Sequence, residues 1–209
     1  MEDVKEQEGK EKSETDVVNI EEYKKINKLN QIYLFIISKY KDYIESGEKL
    51  SVAELPTMIM PKIPSVLKKA NEIKETYTDF VYEVNFVDVS IKAFDFVKNE
   101  IEDVSLPIQF WLTPEETLKF MSGDITDKNM VLCSLLIALG NPSAKVLVVI
   151  NNNERKIVVY YEFNNSFTML DLDDGIKLFS TKEDMLKSLG MTEDSIVYEF
   201  NDQMYIDIM

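Results

Sequence analysis

The chain has 209 residues, 45% of them hydrophobic and 11% aromatic, with a formal net charge of -15 and a pI near 4.5. That length suits one domain, with or without an added helical segment. Negative charge of this size repels a phosphate backbone and an anionic membrane surface, so the expected partners include neither nucleic acid nor membrane; it would attract a basic protein or peptide, although acidity also serves solubility alone.

Residues 1–16, MEDVKEQEGKEKSETD, are almost wholly polar and charged. Burial cannot offset the entropy of ordering them, so a disordered acidic tail is expected, with no apolar stretch to act as a signal peptide. Asn19 and Glu22 then have capping-box spacing, and Tyr23, Ile26, Leu29, Tyr33, Ile36, Tyr40 and Ile44 recur at three- and four-residue steps. This predicts a long amphipathic helix ending near Gly47. Pro56, Pro61 and Pro64 break the next stretch into a loop with short helical pieces, before a helix from about Ser65 to Thr76. Phe80, Val84, Val87, Ile91, Phe94, Val97 and Ile101 predict a second long helix with that stripe in the core. Residues 17–104 therefore read as a helical N-terminal region.

Thr113, Pro114 and Glu116 fit an N-cap, a first helical residue and a capping-box partner, for a helix running to about Met121. Asp124 can cap the next helix, whose Val131, Leu132, Leu135, Leu136 and Leu139 lead to a stop at Gly140. The period then changes. Ala144–Ile150, Lys156–Phe163 and Phe167–Leu172 read as strands, with polar turns at Asn151–Glu154 and Asn164–Ser166. A short helix over Thr181–Leu189 and closing strands over Ser195–Phe200 and Met204–Ile208 complete the chain. Helices first and an antiparallel sheet afterwards is an α+β arrangement, with residues 105–209 as its core and 17–209 as one compact unit.

The available chemistry is narrow. The chain has no histidine, the commonest general base and metal ligand, and one cysteine, Cys133, so it can form no internal disulfide. Neither a cofactor nor a metal is expected. The longest apolar stretches fall short of a membrane span, and a cytoplasmic location is the expectation.

The stretch Trp111–Gly140, WLTPEETLKFMSGDITDKNMVLCSLLIALG, resembles the transglutaminase-like cysteine-protease family of archaea and bacteria. Trp111, Pro114, Glu115, Glu116, Thr117, Gly123, Asp124, Asp127, Leu135, Leu136, Leu139 and Gly140 fit the pattern, which continues through the strands to Asp171 and covers roughly residues 105–175. The resemblance implies a papain/transglutaminase-like core and thiol chemistry: a Cys at a helix N-terminus, a His on a neighbouring strand and an orienting Asp on the next. Here the Cys position is Ile125, the His position falls within a residue or two of Ile157, and only the Asp is kept, as Asp171. Cys133 cannot stand in, because it lies eight residues beyond Ile125, about 12 Å along a helix, among apolar neighbours.

Three functional readings follow. In the first, the domain has lost the family's reaction and acts as a protein- or peptide-binding or scaffolding module, with Trp111, Asp124, Ile125, Asp127, Ile157 and Asp171 as the candidate cleft; closure of that cleft by Ile125 against Ile157 is the plainer outcome. The second is a carboxylate- or metal-dependent hydrolase in which Asp124, Asp127 and Asp171 converge. Helix capping is the plainer role for Asp124 and Asp127, as a solvated turn is for Asp173 and Asp174. The third is a structural oligomer subunit built through the N-terminal helices, with Tyr33, Phe35, Tyr40 and Tyr43 widening their apolar face.

Overall fold

A computed structural model describes residues 3–42, 52–104, 111–151, 154–192 and 194–208. The chain divides into two compact units, residues 1–49 and 50–209. In the second unit, the helices of residues 64–100 share one core with the sheet.

The first unit is built on one helix, α1, Asp3–Lys39. It begins sixteen residues before Asn19, within the segment expected to be disordered. Glu and Lys are good helix formers in their own right, a preference that low hydrophobicity does not remove. The helix end expected at Gly47 lies outside the described residues.

The second unit opens with a 3-10 helix, Val52–Met58, in the proline-rich stretch, followed by α2, Pro64–Lys74, and α3, Tyr82–Glu100. α3 buries Phe86, Val89, Ser90, Ala93, Phe94 and Val97, whereas Val84, Val87 and Ile91 of the expected stripe face solvent. The helix carries two apolar stripes at helical spacing, and periodicity alone cannot say which one the sheet takes. Tyr161, from the sheet, decides it by stacking edge-on against Phe86 and hydrogen-bonding Ser90 Oγ at 2.9 Å.

α4, Pro114–Phe120, and α5, Ile125–Ala138, follow as expected, each with a complete capping box. A two-residue parallel ladder joins β1, Glu102–Asp103, to β2, Ser122–Gly123, just before α5. Every residue of α5 from Thr126 to Leu136 is buried, so this helix is the axis of the core rather than a surface element. It ends against Gly140 at φ 118, where a Cβ would stand 3.1 Å from the Tyr82 ring.

Six strands form one antiparallel sheet: β3 Lys145–Asn151, β4 Glu154–Phe163, β5 Ser166–Asp171, β6 Gly175–Phe179, β7 Ile196–Phe200 and β8 Tyr205–Ile208, in the order β6-β5-β4-β3-β7-β8. Asn164 and Asn165, both at positive φ, make the tight β4–β5 turn. β6 was not expected, since Asp173 and Asp174 read as a turn with nothing beyond it. Helix α6, Lys182–Ser188, lies between β6 and β7 in the chain. Alternation sends Ile157, Val159 and Tyr161 of β4 into the core with α2, α3 and α5, and Val158 and Tyr160 into a second core with Met185 and Leu186 of α6. The result is an α+β unit with helices on both faces of an antiparallel sheet.

Candidate functional site

The residues of interest gather around the first turn of α5. Asp124 is its N-cap, and one carboxylate oxygen accepts from the backbone N–H groups of Thr126 at 2.7 Å and Asp127 at 2.9 Å. Asp127 returns the contact, its Oδ2 accepting from the Asp124 N–H at 3.1 Å, while its Oδ1 accepts from the Leu112 N–H at 2.9 Å. Asp127 is fully buried. Burial, and then the neighbouring Asp124 carboxylate, push its pKa well above the ordinary range, against the pull of the two backbone N–H groups. Both acids therefore do helix-capping work, and Asp127 also ties the segment after Trp111 to the helix. The Gly123 before them is required by close approach, because a Cβ there would lie 2.8 Å from Asp127 Cβ.

Ile125 is the first residue of α5, half-buried against the main core, and Ile157 is buried in that same core. Trp111 is half-buried against it as well. Asp171 is placed differently. It is buried at the end of β5, and its Oδ1 accepts from the backbone N–H groups of Asp173 at 3.0 Å and Asp174 at 3.2 Å, forming the turn into β6. Its Oδ2 lies 2.8 Å from Lys156 Nζ. Alternation along β4 puts Lys156 on the face away from α5, so Asp171 and Ile157 look to opposite sides of the sheet. Burial works against the Lys156 ammonium, but the carboxylates of Asp171 and Asp174 outweigh it and hold its pKa above the ordinary lysine value. Asp124, Asp127 and Asp171 thus do not converge. Among the described residues no group of three or more His, Cys, Asp or Glu side chains could hold a metal ion.

Cys133 is fully buried two turns into α5, and burial raises its pKa far above that of a free thiol. What sequence reasoning missed is Arg155, the only arginine in the chain. It stands at the start of β4, on the Ile157 side, and donates to Thr126 Oγ1 at 3.1 Å, so a guanidinium rather than an imidazole meets the first turn of α5. With Lys156, Lys177, Glu154 and Asp174 it lines a cavity of about 330 Å³ at the sheet's end. The signal in the sequence was the Arg-Lys pair directly after a polar turn, two residues ahead of the position under consideration. Among the described residues no helix is long and apolar enough to cross a membrane.

The sheet face away from α5 carries a further buried acid. Glu199 of β7 is paired with Lys145 at 2.7 Å and Lys182 at 2.6 Å and accepts from the Tyr160 hydroxyl at 2.6 Å. Burial raises its pKa, but the hydrogen bonds from Lys145, Lys182 and Tyr160 outweigh that and leave it below the ordinary value. Lys182 begins α6, so the cluster fastens that helix to the sheet.

No family model matches the chain, and neither does any curated protein. Among solved structures, it is similar to EGTA-treated LapG of Legionella pneumophila at 17% identity, over 68% of this chain and 86% of that one, with a TM-score of 0.43. A candidate cysteine protease from Cytophaga hutchinsonii aligns at 14% identity over 77% of this chain and 55% of that one, with a TM-score of 0.40. A candidate protease from Parabacteroides distasonis aligns at 13% identity over 62% of this chain and 31% of that one, with a TM-score of 0.39.

Proposed function

We propose that residues 50–209 form a non-catalytic, transglutaminase-like domain that serves as a protein- or peptide-binding module. The observation that carries this reading is the side chain heading α5: Ile125, an aliphatic group, where the family's pattern calls for a thiol. The chain's one thiol is sealed in the core, it has no histidine, and the Asp of the pattern forms a turn on the far side of the sheet. None of these groups can attack a carbonyl or shuttle a proton to one. Half-buried Ile125 precedes Thr126, which the Arg155 guanidinium meets, and the charge of -15 favours a basic peptide as the partner. Among the described residues, no convergent group of acids supports the carboxylate-hydrolase alternative.

Two assays test the proposal. Incubation with a glutamine-containing peptide and a primary amine, read by mass spectrometry, should give neither transamidation nor hydrolysis; turnover of either kind would overturn the non-catalytic reading. Trp111 is the only tryptophan, so its fluorescence reports on this end of α5. Titration with a lysine-rich peptide should shift it saturably, and Ile125→Glu should remove the shift. A flat titration would argue for a closed scaffold instead.

A further inference from the structure

Helix α1 carries a feature that the proposed role of the sheet-bearing unit does not use. Ile20, Tyr23, Asn27, Asn30, Leu34 and Ile37 are all exposed. They follow one another at intervals of three, four, three, four and three residues, the a/d spacing of a coiled-coil seam. The four apolar members are large and open to solvent, Leu34 and Tyr23 each to 69%, and Ile26 stands exposed beside them. α1 is otherwise rich in Glu and Lys, yet none of these six positions is charged.

We propose that α1 pairs with α1 of a second copy of the chain, giving a two-stranded homodimer along this seam. Self-complementarity selects a second copy over another partner. The seam reads apolar, apolar, Asn, Asn, apolar, apolar, so two copies set asparagine against asparagine and apolar against apolar in either orientation. An asparagine pair inside a seam fixes register and favours two strands, because a slipped pairing would bury its amides against aliphatic groups. The available area agrees. Five large side chains, each half to two-thirds exposed, offer roughly 500 Å² per copy and about 1,000 Å² per pair, the lower bound for a specific interface.

The test is sedimentation equilibrium of the full chain over a wide concentration range, with helical circular dichroism as the control for folding. The wild-type chain should be a reversible dimer. Leu34→Glu with Ile37→Glu should weaken it by at least about tenfold. Asn27→Lys with Asn30→Lys changes only exposed polar residues of the helix, so it leaves a lone chain folded, but it places like charges across the seam and should weaken the dimer comparably. A wild-type chain that stays monomeric throughout overturns the proposal. So does a dimer that neither pair of substitutions weakens, which would place the interface elsewhere. A monomer that co-sediments with vesicles of phosphatidylcholine and phosphatidylserine would assign the stripe to a lipid surface instead.

Discussion

Asp127, on the α5 side of the sheet, and Glu199, on the α6 side, are both buried acids, and their surroundings treat them in opposite ways. Asp127 has backbone N–H groups and the carboxylates of Asp124 and Glu116 for company, and burial with those two charges raises its pKa. Glu199, on the α6 face, has two ammonium groups and a phenol, and its pKa falls. Burial penalises both charges alike, so the sign is set by what else points at the oxygens. The contrast separates two structural jobs, one acid closing the start of a helix and the other clamping a helix to a sheet. It also shows that the start of α5 is organised for capping.

Substitutions can break or sharpen this contrast. Glu199→Ala should cost the most, about 4 kcal/mol by urea denaturation, because it leaves Lys145, Lys182 and Tyr160 around an emptied site. Asp127→Ala should cost about 3 kcal/mol, leaving the Leu112 and Asp124 N–H groups unmatched in a buried corner. The pH dependences should run in opposite directions. Glu199 has a lowered folded pKa, so its stabilisation is complete above the ordinary carboxylate range and is lost as pH falls through the folded value; the gap between wild type and Glu199→Gln should close on acidification. Asp127 has a raised folded pKa, so its contribution is present at acid pH and is lost as pH rises through the folded value; the gap to Asp127→Asn should close on raising pH. Parallel curves would mean that the two sites are not distinguished by their partners. Gly123→Ala should cost about 2 kcal/mol, since its Cβ would press on Asp127 and Thr117. Arg155→Ala should be smallest, within about 0.5 kcal/mol, because the guanidinium is exposed and makes one hydrogen bond to a hydroxyl.

Capping chemistry was the most legible part of the fold. Thr113-Pro114-Glu115-Glu116 and Asp124 with Asp127 specify both helix starts through short-range hydrogen bonds that the sequence spells out. The strand segments were legible too, because β-branched runs separated by Asn-rich turns have few alternatives. The buried face of α3 was not, because two apolar stripes compete and only the distant Tyr161 chooses between them. β6 was hidden for a similar reason: its pairing depends on Asp171 turning the chain back, a role that no local pattern marks. At the candidate site, the sequence shows that the chain has no histidine and one cysteine. The opposite facing of Lys156 and Ile157 follows from alternation once the strand is read, but that Arg155 reaches Thr126 depends on how the sheet meets α5, which no local pattern marks.

The central proposal, that the α5 end has no thiol chemistry, is tested most directly by alkylation of Cys133. The folded chain is exposed to iodoacetamide at neutral pH and its mass is followed with time, alone and in denaturant. No adduct is expected on the folded chain, and one adduct after unfolding. Rapid stoichiometric labelling of the folded chain would contradict it, because the only thiol would then be an accessible thiolate able to act as a nucleophile.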